Sequence, residues 1–173
     1  MSQGELPGSV NLFQELLQLR DSQREQSKDA ICVVDGDGLP WEVNPLGIMK
    51  WYLHPKLDDR AIQSLIMYVQ KVPAQSRSGR LRVQGGQVLY IVAGSGYTTI
   101  DGEKLAWQQG DILQIPLRWK GVEFQHFNDD PETPAIIICA EPNYVHSLGV
   151  DRGSGFEVLE PAPEFAGEKR KTI

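Results

Sequence analysis

The middle of the chain consists of short alternating runs of apolar and polar residues, separated by glycine-containing turns. Residues 87–92 alternate as a half-buried β-strand does, and Asp101-Gly102 is a typical two-residue hairpin turn. Further strands are predicted from Tyr97 onward and at residues 104–107, 112–115 and 122–127. Short strands at this close and even spacing favour an antiparallel barrel or jelly roll.

A helix is predicted ahead of these strands, within an N-terminal arm that we assign to residues 1–28. Ser9 or Asn11 is suited to cap it, and its apolar residues recur at helical spacing: Val10, Phe13, Leu16 and Leu17. Because an amphipathic helix must bury its apolar side chains, the arm either packs on its own barrel or docks on a partner subunit.

The barrel domain is predicted to span residues 29–159. Its remaining strands are expected in the apolar runs at residues 31–34, 62–72, 136–140 and 156–159, and the Asp-Gly repeat at residues 35–38 is a turn. Residues 160–173 carry prolines and charges without periodicity. This pattern predicts a flexible C-terminal tail, or one that wraps a neighbouring chain.

Composition narrows the class of protein. The 173 residues are 40% hydrophobic with a formal net charge of −6, which is typical of a soluble, mildly acidic globular protein and argues against a nucleic-acid partner. We find no signal peptide and no apolar stretch long enough to cross a bilayer, so we expect a cytoplasmic location and no membrane partner. Cys32 and Cys139 lie in apolar runs, which favours buried free thiols over a disulfide.

The region from Gly79 to Asn128 resembles the two motifs of the cupin superfamily. The residues that carry the resemblance are 90–97 with Asp101-Gly102, then 107–116, then 125–128, and a weaker similarity extends back to residues 49–55. Within the superfamily the chain is similar to the gentisate and hydroquinone dioxygenase group. The resemblance implies an all-β cupin barrel, which is a double-stranded β-helix of jelly-roll type, preceded here by the N-terminal helix.

The metal ligands are where the sequence departs from this family. Cupin motifs place two histidines one residue apart, a glutamate four or five positions later, and another histidine four residues before an asparagine. Aligned on Gln87 and Asn128, the histidine positions hold Arg80, Arg82 or Val83, and Phe124. Arginine keeps its proton, valine and phenylalanine offer no lone pair, and glutamine is a weak neutral ligand. We therefore expect no metal and no other cofactor in this chain.

No catalytic residue is predicted, and the candidates for contact with a ligand in the barrel interior are Trp51, Arg80, Arg82, Gln87, Tyr90, Phe124 and His126. Strand alternation puts His126 on the face of Phe124, either as a ligand contact or as a histidine satisfied by hydrogen bonds. Arg80 and Arg82 share a face that is either the interior or the rim. Trp51 and His54 either belong to the core or line an aromatic pocket.

The resemblance implies a place in the cleavage of aromatic rings. In two-component hydroquinone dioxygenases a larger cupin subunit holds ferrous iron and a smaller cupin chain completes the assembly. A short chain without ligands suits the smaller role, in a homo- or hetero-oligomer that acts on an aromatic small molecule. The alternative is a stand-alone, metal-free cupin that binds a small aromatic or acidic ligand through Arg80, Arg82, Gln87 and His126. A third possibility is acid–base chemistry by His126 with Glu123 or Tyr90.

Overall fold

The computed structural model describes residues 11–26, 28–143 and 156–167, and within these ranges the chain folds around two antiparallel sheets. In chain order the elements are α1 (Leu12–Gln26), β1 (Glu42–Asn44), β2 (Gly47–Leu53), β3 (Leu65–Val72), β4 (Ser76–Arg77), β5 (Arg80–Val83), β6 (Gln87–Ala93), β7 (Ser95–Ile100), β8 (Glu103–Gln108), β9 (Ile112–Ile115), β10 (Val122–Asn128), β11 (Ala135–Pro142), β12 (Phe156–Glu160) and α2 (Pro163–Ala166).

The first sheet has the strand order β1-β2-β3-β11-β6-β9, and the second has the order β12-β5-β10-β7-β8 with β4 added beside β10. Neighbouring strands are therefore often distant in sequence, as in a jelly roll. The apolar inner faces of the two sheets form one core, in which the most deeply buried side chains include Met49, Leu89, Ile91, Ile115, Val122 and Ile137. The predicted all-β class and the N-terminal helix are confirmed.

Alternation along β6 shows how the sequence defines the two faces. Gln87, Leu89 and Ile91 are buried, whereas Val88 and Tyr90 are exposed. A strand turns successive side chains to opposite faces, so the even-numbered residues of β6 lie outside the barrel.

The predicted hairpin at Asp101-Gly102 joins β7 to β8. Asp101 has a φ of 48° and Gly102 a φ of 89°, and two positive φ values at the central residues define the tight turn that suits the twist of paired strands. This register places Thr98 opposite Leu105 and Gly96 opposite Trp107.

The strand predicted at residues 31–34 is absent from the structure. Ile31 makes a single bridge to Arg60, and Val33 is almost fully exposed. Residues 31–34 have only the segment around Arg60 beside them as a pairing partner, so no ladder of β-sheet hydrogen bonds forms. Cys32 is consequently exposed and not buried as predicted, whereas Cys139 is buried in β11, and both thiols are free.

The chain after Glu160 also differs from the predicted flexible tail. Glu160 ends β12, Ala162 is fully buried, and the Ala162 amide donates to the Pro45 carbonyl over 3.0 Å. Ser76 hydrogen-bonds Glu164 of α2 as well. After β12 the chain returns to pack α2 against β1 and β2, and prolines in this segment break the periodicity of the sequence. Residues 168–173 lie outside the described ranges.

Helix α1 is capped as predicted but remains largely exposed. The Gln14 amide donates to Asn11 Oδ1 over 3.2 Å, while Ser9 and Val10 lie outside the described ranges. Leu12, Phe13 and Leu16 are each more than half exposed, so α1 does not bury them on its own barrel. Neither helix in the described part of the chain combines the length and apolar composition that a bilayer crossing requires.

Two glycines with nearly equal φ provide a test of how tightly the β5–β6 connection packs. Gly85 and Gly110 have φ values of 93° and 92°, but a β-carbon at Gly85 would collide with the Pro116 carbonyl, whereas one at Gly110 would meet nothing. Gly110→Ala should cost about 1 to 2 kcal/mol of unfolding free energy, from the backbone alone. Gly85→Ala should cost at least twice as much in denaturant titrations, and equal losses would contradict this packing.

Candidate functional site

The pairing of β5 with β10 decides which side chains enter the barrel. Leu81 lies opposite Phe124 and Val83 opposite Val122, and all four side chains are buried. The inward positions of β5, where a cupin would carry its histidine pair, are therefore Leu81 and Val83. Of the positions that the sequence alignment offered, Val83 lies inward, whereas Arg80 and Arg82 do not. Phe124, which the sequence alignment places at the third histidine position, is buried and packs against these residues from the neighbouring strand.

Arg80 and Arg82 lie on the outer face of the second sheet. Arg82 is paired with Glu123 of β10, and Arg80 lies 3.6 Å from Glu123 and 3.7 Å from Glu160 of β12. Arg80 also lines a surface hollow of about 490 Å³ with Thr99, Asp101, Gly102, Glu123 and Phe124. Their assignment to the barrel interior is thus corrected, because the period of two along β5 turns both guanidinium groups outward.

The inward positions do not fit a ferrous ion. Leu81, Val83 and Phe124 carry no donor atom, and only the Gln87 amide remains at the glutamate position. Iron sites of this class need neutral imidazoles and a carboxylate. Among the described residues, no three His, Cys, Asp or Glu side chains form a group that would hold a metal.

A polar cluster lies at the end of the first sheet, where β6 begins and β11 ends. Gln87 is buried, and its Nε2 donates to Glu141, while its Oε1 is buried without a hydrogen-bond partner. Burial raises the pKa of the Glu141 carboxyl, and the hydrogen bond from Gln87 partly opposes that rise. The sequence analysis missed Glu141, although it continues the inward alternation of Ile137 and Cys139.

Tyr68 and Cys139 extend this cluster inward, and we call these four residues (Tyr68, Gln87, Cys139, Glu141) the Gln87 cluster. Tyr68 lies opposite Cys139 and hydrogen-bonds its thiol. Burial raises the pKa of the Cys139 thiol to about 12 and that of Tyr68 well above its usual value, so both stay protonated near neutral pH.

Trp51 is partly buried against the core and meets the Tyr68 ring edge-on, with 5.2 Å between centroids. The His54 ring also meets Trp51 edge-on, with 5.2 Å between centroids. Of the candidate ligand residues, Trp51 and Gln87 are therefore brought towards one end of the first sheet. Tyr90 is not, since it lies exposed on the outer face.

His126 belongs to a separate group in the second sheet. Its Nδ1 lies 2.7 Å from Thr98 Oγ1, which also accepts a hydrogen bond from Trp107 Nε1 over 2.9 Å. The tryptophan can only donate, so Thr98 accepts that hydrogen bond, and its hydroxyl also forms a hydrogen bond with the His126 ring whose direction depends on the tautomer. Burial alone lowers the pKa of His126 to about 4.

His126 is therefore a neutral side chain held within the fold. Glu123 points to the opposite side of β10 and Tyr90 lies outside the first sheet, so neither is positioned to exchange a proton with it. A second hollow, of about 460 Å³, is lined by Tyr97, Lys104, Trp107 and Gln108 among others.

The two sheets, their connections and the motif turns define a cupin fold. Among solved structures, a cupin-like protein from Thermotoga maritima is 17% identical, with 72% of this chain and 86% of that chain covered at a TM-score of 0.50. Procruciferin, an 11S globulin from Brassica napus, superposes at a TM-score of 0.60 with 11% identity, over 78% of this chain and 36% of that one. At these identities the likeness concerns the fold alone.

Two further similarities are to aromatic dioxygenases. A 5-aminosalicylate 1,2-dioxygenase from a Comamonas species is 24% identical over 140 residues, which are 81% of this chain and 35% of the relative. The structure of a salicylate 1,2-dioxygenase from Pseudaminobacter salicylatoxidans matches 84% of this chain and 35% of that chain, with 18% identity and a TM-score of 0.53. The chain thus spans about a third of the length of the Comamonas relative. No family model matches the chain.

Acidification should destabilise the fold through His126. Its pKa is about 4 when folded against 6.5 when free, so the unfolded chain binds the extra proton first and stability falls as the pH drops between these values. From about pH 7 to about pH 4.5 the loss should be roughly 2 to 3 kcal/mol. His126→Gln should remove most of this pH dependence in denaturant titrations, and an unchanged slope in the variant would show that other groups cause it.

Because the inward positions are apolar, we predict that several of them must be replaced together before the barrel binds a metal. Leu81→His alone should retain no ferrous iron after anaerobic loading and desalting, because a stable site needs at least three ligands. The combined variant with Leu81→His, Val83→His, Phe124→His and Gln87→Glu should retain iron by elemental analysis. Arg80→His with Arg82→His is the matched control, and iron binding by that control would contradict the assignment of the inward face.

Proposed function

We propose that this chain is a metal-less cupin subunit of a ring-cleaving dioxygenase for hydroquinone-type aromatics, and that it completes an assembly whose larger cupin subunit holds the ferrous iron. The observation that supports this proposal most is that Leu81, Val83 and Phe124 occupy the inward positions where metal ligands are expected, within an intact cupin fold. Iron chemistry and ring opening belong to the larger subunit in this proposal.

The interior supports a structural role for this chain. A leucine and a phenylalanine facing each other across β5 and β10 fill the centre with packed apolar groups. Burying each such side chain contributes about 1.5 to 3 kcal/mol. The loss of donor atoms therefore favours a stable barrel that needs no metal.

The similarity to the Comamonas 5-aminosalicylate 1,2-dioxygenase supports the reaction class. That relative acts on an aromatic ring by its name, and it is about three times as long as the matched region. The matched region corresponds to about a third of that relative, and in this proposal a larger iron-bearing cupin polypeptide supplies the ring-cleaving site. The hydroquinone-type substrate and the partner subunit rest on the resemblance of the sequence to the gentisate and hydroquinone dioxygenase group.

A second candidate function is a stand-alone binding module, and the Gln87 cluster favours it. The Gln87 Oε1 acceptor is buried without a partner beside the Glu141 carboxyl. The inward-facing positions of the described strands include no lysine or arginine, since Arg80 and Arg82 lie outside. Such a site suits an uncharged ligand that donates hydrogen bonds, such as a phenol, better than the acidic ligand considered from the sequence.

The proposal is tested by co-expressing this chain with a ligand-intact larger cupin from the same genomic neighbourhood. The complex should consume oxygen with hydroquinone and contain about one iron per larger chain, since only that chain supplies a full ligand set. The larger chain alone should lose most of its activity or its stability, and this chain alone should consume no oxygen. A matched complex with Leu81→Ala should keep its iron and lose thermal stability, because the residue packs and does not coordinate.

Iron-dependent oxygen uptake by this chain alone would overturn the subunit role. The same holds if the larger cupin is fully active and stable without it. Saturable binding of hydroquinone to the isolated chain, abolished by Gln87→Leu, would instead favour the binding module. Benzoate is the matched ligand for that measurement, because it carries the charge that the interior does not neutralise.

A further inference from the structure

The outer faces of the two sheets differ in chemistry. The second sheet is covered by charged pairs, including Arg82 with Glu123 and Arg80 with Glu160. The first sheet presents apolar side chains across β9, β6 and β11, where Ile112, Tyr90 and Ile138 form one row in register. We call this surface the apolar sheet face and define it by the outward residues Val88, Tyr90, Val92, Ile112, Ile136 and Ile138.

The apolar sheet face is open to solvent. Val88, Tyr90, Val92 and Ile112 are between 37% and 63% exposed. Towards the opposite edge of this sheet, on the same outer face, the segment around Gly36 covers β2. Lys50 donates to the Gly36 carbonyl over 2.6 Å and lies over the Trp41 ring. Among the described residues, loops cover only part of the outer face, and the remainder exposes a row of apolar side chains.

Helix α1 is a second unpartnered apolar surface in the same chain. Leu12, Phe13, Leu16 and Leu19 are each at least 56% exposed. An isolated helix of this length is marginal in water and is stabilised mainly by packing of its apolar face. The half that carries these residues contains one charged side chain, Glu15, whereas charged pairs such as Arg24 with Asp21 occupy the other half.

We propose that α1 of one chain docks on the apolar sheet face of a second copy, and that two copies exchange their helices reciprocally. The dimensions agree: Leu12 to Leu19 covers about 10 Å of helix axis, and Val88 to Val92 across three strands covers about 14 by 14 Å. The charges agree as well, because Lys71 lies outward on β3 beside Ile136, where it can meet Glu15.

A helix exchange buries both α1 and the apolar sheet face of each copy, whereas direct contact between two sheet faces would leave α1 exposed. The apolar sheet face measures roughly 200 Å² in plan, so contact between two such faces would bury little area and would leave the apolar side chains of both helices exposed. Reciprocal docking buries two helices and two sheet faces in one closed, two-fold symmetric dimer. The occupant is therefore the helix of a second copy and not its sheet.

The oligomeric state of the full chain tests this proposal, by sedimentation equilibrium at about 1 to 100 µM because dimer content depends on concentration. The chain should be a dimer, and Phe13→Glu with Leu16→Glu should weaken it at least tenfold, as should Ile112→Lys, because central apolar contacts carry most of the binding energy. Leu105→Lys, at a partly exposed leucine on β8 of the second sheet, is the matched control and should leave the dimer intact. Thermal unfolding of each variant verifies that the barrel still folds.

A mixed disulfide identifies which surfaces meet. In a Cys32→Ser background, a chain with Leu16→Cys is mixed with a second chain carrying Tyr90→Cys, and oxidation should link the two chains. The buried Cys139 does not compete, since its thiol stays protonated. Replacing Tyr90→Cys by Leu105→Cys in the second chain should abolish the link.

Three results would overturn the proposal. One is a monomer at the highest concentration. Another is a dimer that survives the Phe13 and Leu16 substitutions but not Ile112→Lys, which indicates direct contact between sheets. The last is a link between Leu16→Cys and Tyr90→Cys that forms only when both lie in one chain, which places the helix on its own barrel. None of these results bears on whether a larger iron-bearing subunit exists.

Discussion

The antiparallel register between β5 and β10 is the constraint on which this structure depends. It places Leu81 opposite Phe124 and Val83 opposite Val122, and so directs four apolar side chains into the space between the sheets. The same register aligns Arg82 with Glu123 on the outside. A shift of one residue would exchange these faces and bury two guanidinium groups without partners, which is far too costly to occur.

Two of the polar groups in this interior differ in character. His126, Thr98 and Trp107 satisfy one another in the second sheet, and burial keeps the imidazole neutral, so this group contributes to the structure. The Gln87 cluster in the first sheet is incomplete, because the Gln87 Oε1 acceptor has no partner. An unsatisfied buried acceptor costs about 1 to 3 kcal/mol, so a group that donates a hydrogen bond to Gln87 Oε1 would stabilise the fold.

Much of the fold follows from the sequence, because glycine turns and alternation are local signals. The strand predicted at residues 112–115 has the observed bounds, and Asp101-Gly102 forms the expected turn. The strand at residues 31–34 was predicted wrongly, since a short apolar run forms a ladder only where a neighbouring strand is available. Arg80 and Arg82 were misplaced for another reason. An alignment of motif spacing can be wrong by one residue, but a shift of one residue along a strand moves a side chain to the opposite face of the sheet. Only the pairing of β5 with β10 shows which residues of β5 face inward.

The central claim is that the inward positions Leu81, Val83 and Phe124 form a packed apolar core at which no metal binds. The most direct measurement is methyl NMR of the isolated chain, with Leu81 and Val83 assigned, during anaerobic titration with paramagnetic Mn²⁺. The account predicts that both methyl groups broaden no more than those of neighbouring core residues such as Ile100 and Val122, because an ion held by carboxylates on the outer face would not single out Leu81 and Val83. Selective, saturable broadening of Leu81 and Val83 at about one equivalent of Mn²⁺ would place a metal between the sheets and contradict the account.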